Sequence, residues 1–147
     1  MKILITGAQG FVGRNLFLCL KKDYKIIGIG RKNKNFISRD KRIVEKKITY
    51  KNLVSLNFEP ELIIHCAGSG SVSRSIQDQK LDYDKNVNTT KELIDFISKS
   101  KNKPKVIVFS SAAVYGNSCT KNKKKLKPIF PYGKNKLRSE NIFFLIL

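Results

Sequence analysis

The chain has 147 residues, 41% of them hydrophobic, which is enough for one domain with a buried core. Its apolar runs fall far short of the roughly 20 residues of a membrane-spanning helix, and no small-residue cleavage site follows the short apolar start, so a cytoplasmic protein is expected. The formal net charge of +19 would attract any polyanion, but the lysines are scattered and no RNA- or DNA-binding motif stands among them, so no specific nucleic-acid partner is expected.

Runs rich in Ile and Val at residues 2–6, 25–30, 43–48, 62–67 and 106–110 read as strands, and the segments between them carry helix-period patterns or polar loops. This alternation predicts an α/β fold, a Rossmann-like doubly wound parallel sheet with helices on both faces, occupying residues 1–147 as one dinucleotide-binding domain. After the first strand, Val12, Leu16, Cys19 and Leu20 recur at helical spacing and give a crossover helix its apolar face. A second helix is expected within residues 81–100, with Leu93, Ile94 and Ile97 facing the core and Lys91, Glu92 and Lys99 facing out, before Pro104 breaks the pattern. Residues 32–42 and 121–127 are basic loops.

Cys19, Cys66 and Cys119 are odd in number and form no CxxC pair, so neither a disulfide framework nor a zinc site is expected. His65 is the sole histidine and lies in an apolar stretch, which makes it a strand residue near the core. No metal site is expected.

The first strand runs into Gly7, Gly10 and Gly13, at GxxGxxG spacing and directly before a helix. Gly7 permits the turn, Gly10 lets backbone approach a pyrophosphate, and Gly13 lets the helix pack close to the strand. The helix N-terminus then offers N–H groups to the phosphates. At the end of the second strand, where a carboxylate would take the ribose hydroxyl of NAD, the chain has Arg31. A guanidinium there matches the 2′-phosphate of NADP, so NADP is the preferred cofactor and NAD the alternative. Arg31 could also simply begin the basic loop.

Tyr132 and Lys136 stand four apart after Pro131, in a segment that reads as a helix over residues 132–140. They share one helical face, and a nearby ammonium favours phenolate, as a general acid/base near neutrality requires. An exposed helix pair of no consequence would show the same spacing. Ser110 and Ser111 end the preceding strand, the edge at which α/β sheets hold ligands.

Thr6-Gly7-Ala8-Gln9-Gly10-Phe11-Val12-Gly13, Ile63-Ile64-His65-Cys66-Ala67-Gly68, Phe109-Ser110-Ser111-Ala112-Ala113-Val114-Tyr115-Gly116 and Pro131-Tyr132-Gly133-Lys134-Asn135-Lys136, in this order, resemble the successive motifs of the extended short-chain dehydrogenase/reductases. More narrowly, the chain resembles the NAD-dependent epimerase/dehydratase family, whose members act mostly on nucleotide sugars. The resemblance implies Ser111, Tyr132 and Lys136 as catalytic residues. Ser111 would orient the substrate, Tyr132 would be the acid/base, and Lys136 would hold the nicotinamide ribose and tune the tyrosine. It also places Phe11, Val12 and Ala67 with Gly7, Gly10, Gly13, Arg31 and Lys136 in the cofactor site. Asn86 falls where the family has an asparagine in an NxxGT element, with Thr89 in place of the glycine.

Dehydrating members carry an acidic pair directly after the position of Ser111. Here Ala112 and Ala113 stand there, leaving epimerisation or ketone reduction. The resemblance covers the cofactor half only, and seven residues after Glu140 hold neither a further strand nor a substrate-binding region. A truncated form with little activity alone is therefore expected. The alternative is a non-catalytic dinucleotide-binding or regulatory module. The apolar end, Ile142, Phe143, Phe144, Leu145, Ile146 and Leu147, is either the tail of the catalytic helix or an exposed surface for self-association or a partner.

Overall fold

The computed structural model describes residues 1–32, 40–117 and 126–146, with the Ile146 side chain excluded. The two basic loops fall largely outside the described residues, as does Cys119. Two compact units are present, one of residues 1–67 and 92–109, the other of residues 68–91 and 110–147.

The first unit is a Rossmann-like sheet with flanking helices. Strands β1 (Lys2–Thr6), β2 (Lys25–Gly30), β3 (Ile43–Glu45), β4 (Leu62–His65) and β5 (Lys105–Val108) pair in parallel in the order β3-β2-β1-β4-β5. The order reverses at β1, the topological switch point where such sheets bind ligands. Consecutive residues Ile3, Leu4 and Ile5 are all 1% exposed or less. Alternate side chains leave opposite faces of a strand, so both faces of β1 are covered, as an unbroken apolar run predicts. On one face Ile3, Ile5, Ile26, Ile43 and Ile64 pack with Ala8 and Phe17.

Helix α1 (Phe11–Leu20) differs from the expected face. Gly13 and Phe17 are buried with Leu16 and Leu20 half-buried, whereas Val12 and Cys19 are exposed. The burial spacing is still helical, but its register is set by Gly13, which hydropathy ignores. A short helix α2 (Tyr50–Val54) starts where Thr49 accepts from the Asn52 N–H. Further along, Leu93, Ile94 and Ile97 are buried as expected, together with Phe96. Glu92 does not face out: its carboxylate accepts the Tyr50 N–H at 2.6 Å and caps the first turn of α2. The third strand is shorter than the sequence predicts, because the Lys46 N–H turns back to the Val44 carbonyl.

In the second unit, α3 (Val72–Gln77) and α4 (Gln79–Tyr83) lead into a π-helical turn (Asp84–Asn88) and the first turn of α5 (Thr89–Lys99). Helix α5 lies within residues 81–100, where a helix is expected, and the π-helical turn directly precedes it. A 3₁₀ turn (Ala112–Tyr115) precedes α6 (Pro131–Ile146), which continues well past Glu140. Among the described residues no helix is long and apolar enough to cross a membrane.

Asp40 ties the approach to β3 to the end of α1. Its carboxylate accepts from Arg42 Nε (2.9 Å) and Nη2 (2.8 Å) and lies 3.5 Å from Lys21 Nζ, while Arg42 Nη1 donates to the Lys21 carbonyl. The Arg42 hydrogen bonds hold the Asp40 carboxyl well below the usual carboxylate range. A lowered folded pKa stabilises the fold fully above the unfolded value, near pH ~4, and the benefit fades as pH falls toward the folded value. Asp40→Asn is expected to lower the urea midpoint at pH 7, with the gap to the parent closing as the pH is taken below 4. A gap independent of pH would contradict this assignment.

Candidate active site

Except for Lys136, the residues expected to bind the cofactor lie in the first unit, around the turn from β1 into α1 and at the ends of β2 and β4. Gly7 adopts φ +71°, and a β-carbon on it would lie 2.7 Å from the Ala67 amide nitrogen. Ala67 thus stands directly against the glycine loop. Gly13 is closer still, since a β-carbon there would lie 2.4 Å from the Gly7 carbonyl oxygen. The Gly10 N–H donates to the same carbonyl at 2.9 Å, and Gly10 caps α1 without a side chain.

No acidic residue occupies the first turn of α1, and Phe11 and Val12 are exposed. The first N–H groups of a helix lack intrahelical acceptors, so this end presents donors and positive dipole with no side chain competing for them. These residues fit a pyrophosphate. Arg31 follows the last residue of β2 and is exposed. At the neighbouring strand ends, buried Thr6 Oγ1 and His65 Nδ1 share a 2.7 Å hydrogen bond, which makes His65 a structural residue of the sheet.

Ser111, Tyr132 and Lys136, the residues expected to be catalytic, lie in the second unit. Ser111 caps the 3₁₀ turn, its Oγ accepting the Ala113 N–H at 3.2 Å while its own proton stays available for donation. That turn packs against the start of α6: a β-carbon on Gly133 would come within 2.5 Å of the Ala113 carbonyl oxygen. Gly133, next to Tyr132, therefore brings the serine turn and the tyrosine helix together. Tyr132 is half-buried and Lys136 is buried on the same helical face. The Tyr132 N–H, one of the first-turn donors of α6, is accepted by buried Ser75 Oγ at 3.1 Å. Ser110 donates to the Glu140 carboxylate on the same helix.

A buried polar network anchors this arrangement. Asp82, Asn86 and Asn135 are each no more than 3% exposed. The Asp82 carboxylate accepts from Asn86 Nδ2 (3.2 Å) through Oδ1 and from Asn135 Nδ2 (2.8 Å) through Oδ2. Asn86 Oδ1 accepts the Ser69 N–H (3.2 Å), and its backbone carbonyl accepts from Thr90 Oγ1 (2.8 Å) and Ser139 Oγ (3.1 Å). Asn86, the asparagine singled out by the resemblance, is thus the hub linking the π turn to α6. Sequence reading did not single out Asp82, Asn135, Ser75, Ser139 or Gly133 as site-forming. Phe143 is buried near the end of α6, whereas Phe144 and Leu145 are each 84% exposed. The described part of the apolar tail is thus helical, with two of its side chains in solvent.

The sequence model of the NAD dependent epimerase/dehydratase family matches residues 3–144. The chain belongs to that family. Among its relatives in the epimerase/dehydratase family is UDP-glucose 4-epimerase 2 of Oryza sativa subsp. japonica, 34% identical over 97% of this chain and 35% of that protein. The UDP-Glc/GlcNAc 4-epimerase of Campylobacter jejuni superposes with a TM-score of 0.84 at 29% identity, over 99% of this chain and 48% of that one. UDP-glucose 4-epimerase from Brucella ovis, solved in complex with NAD, gives a TM-score of 0.83 at 27% identity, over 96% of this chain and 46% of that one. The chain spans half or less of the length of these relatives.

Two substitutions test the two halves. Gly13→Ala forces its methyl into the Gly7 carbonyl and is expected to destabilise the fold by about 1–3 kcal/mol in urea denaturation. Asn86→Ala strips acceptors and donors from a buried network and should cost a further distinct loss of about 1–3 kcal/mol. Parent-like stability for either variant would contradict the packing described.

Proposed function

We propose that this chain carries the dinucleotide-binding and proton-transfer residues of an NAD(P)-dependent nucleotide-sugar epimerase or 4-keto reductase. The observation that carries the reading is the meeting of the Ser111 turn with the start of α6, which sets a serine hydroxyl, a half-buried phenol and a buried ammonium on adjoining backbone. Family membership and the 4-epimerase relatives support the substrate class.

In this reading the N–H groups at the start of α1 hold the cofactor pyrophosphate, with Gly7, Gly10 and Gly13 leaving room for it. Lys136 holds the nicotinamide ribose, on the same helical face as Tyr132. Ser111 donates to the reacting sugar oxygen, and Tyr132 takes the hydroxyl proton as the carbonyl forms, or returns it in the reverse step. The bound nicotinamide supplies the hydride acceptor or donor. Ala112 and Ala113 place no carboxylate beside Ser111 for an elimination, which favours epimerisation or reduction. Arg31 pairs with a 2′-phosphate, so NADP is the preferred form.

Titration with NADPH and NADH is expected to show about tenfold tighter NADPH binding, the scale of one charge-assisted hydrogen bond, with Arg31→Ala removing the difference. Equal affinities in the parent chain would overturn the role of Arg31. The chain alone is expected to turn over a nucleotide sugar only weakly, and the enzyme-bound reduced nicotinamide it forms from oxidised cofactor in a single-turnover assay should be lost in Tyr132→Phe with cofactor affinity unchanged. Unaltered turnover in that variant would overturn the acid/base assignment.

The exposure of Phe144 and Leu145 favours, as a second reading, a dinucleotide-binding module that associates through its tail. Sedimentation of the parent and of a Phe144→Ser, Leu145→Ser double variant separates the two. A defined parent oligomer that dissociates in the variant supports the module, and a monomer in both removes it.

A further inference from the structure

Helix α3 turns inward a residue that hydropathy would turn outward. Ser75 is 0% exposed and is the one buried residue of the six, while Ile76 beside it is 52% exposed. Apolar packing alone would rotate the helix the other way. A buried hydroxyl must be matched by hydrogen-bond partners, so the orientation of α3 is set by what Ser75 bonds. Its proton is committed, since Oγ donates to the Val72 carbonyl at 2.6 Å. The oxygen remains an acceptor, and it takes the Tyr132 N–H at 3.1 Å from 57 positions away.

Helix α6 has no acceptor of its own for that group. It begins at Pro131, which has no N–H, and the Lys134 N–H bonds to the Phe130 carbonyl at 3.1 Å. Phe130, at the capping position, has no side-chain oxygen. The Tyr132 N–H stands at the second helical position, one that an N-cap side chain ordinarily serves, and Ser75 serves it from another helix. The next residue, Gly133, is fixed by a different element: a β-carbon on it would collide with the Ala113 carbonyl, in the turn that Ser111 caps. The main chain that carries the Tyr132 phenol is thus gripped at two consecutive residues, by α3 and by the serine turn.

We propose that Ser75 is a positioning residue for Tyr132, supplying the N-terminal cap that α6 lacks, so that loss of its acceptor slows proton transfer without weakening cofactor binding. The proposal rests on the acid/base role given to Tyr132 above. Ser75 acts through the main chain from which the phenol extends. A catalytic group displaced by about 1 Å loses rate on the order of a hundredfold, so a small shift at the start of α6 is enough.

Ser75→Ala, Ser75→Thr and the parent chain are compared by two-dimensional amide NMR and by single-turnover formation of enzyme-bound reduced nicotinamide. Ser75→Ala removes one oxygen atom and is expected to fold, which circular dichroism checks. It should move the Tyr132 amide proton upfield and speed its exchange with solvent. It should also slow the single turnover about tenfold or more, with cofactor affinity unchanged. Ser75→Thr keeps the hydroxyl and is expected to stay near the parent in both readouts. Leu53→Ala, which opens a cavity at a fully buried residue of α2, lowers stability elsewhere and should leave the rate and the Tyr132 amide as they are in the parent. A Tyr132 amide unchanged in Ser75→Ala overturns the proposal. So does a loss of rate that Leu53→Ala shares, or one matched by an equal loss of cofactor affinity, since either makes Ser75 a structural residue only. Equal single turnovers in the parent and Tyr132→Phe would overturn the acid/base reading itself, and the Tyr132 amide signal tells that failure from a failure of the cap.

Discussion

Gly13 sits so close to the Gly7 carbonyl that no side chain fits between them, and this backbone-on-backbone contact sets the start, face and angle of α1. Because the helix is pinned there, Phe17 one turn later enters the core with Ile3, Ile5, Ile26 and Ala8. The same contact fixes the first N–H groups of α1 at the end of β1, where the strand order reverses. Core packing and the placement of the first N–H groups of α1 thus come from one close approach. A residue larger than glycine would disturb both together.

The second unit achieves its order by different means. Its close contact, Gly133 on the Ala113 carbonyl, joins the serine turn to the tyrosine helix, but most of its rigidity comes from buried polar groups. The Asp82 carboxylate spans two carboxamides, and Asn86 ties the π turn to α6 through its side chain and its carbonyl. Such a network is costly when incomplete and specific when satisfied. It holds α6 so that one stripe presents Tyr132 and Lys136.

The strands and the glycine loop were legible because each depends on local sequence. Ile and Val runs mark a sheet buried on both sides, and the glycine spacing marks a turn whose geometry excludes side chains. The face of α1 was misread because hydropathy weighs Val12 and Cys19 and gives Gly13 no weight, although Gly13 makes the deciding contact. The π turn left no periodic trace, since the groups that stabilise it come from elsewhere in the chain: Asn135 and Ser139 lie 53 positions from their partners Asp82 and Asn86. Glu92 looked like an outward helix residue for the same reason, its acceptor role being set by Tyr50 at a separation of 42. Ser111, Tyr132 and Lys136 could be named from motif order, while the residues that hold them, Ser75 and Gly133, needed the fold.

The central claim is that the N-terminus of α1 is a pyrophosphate site. A crystal structure of the chain grown with NADPH tests it most directly. The account predicts the pyrophosphate within hydrogen-bonding distance of the Phe11 and Val12 amides, over Gly7 and Gly10. A dinucleotide bound with its phosphates away from that loop would contradict it.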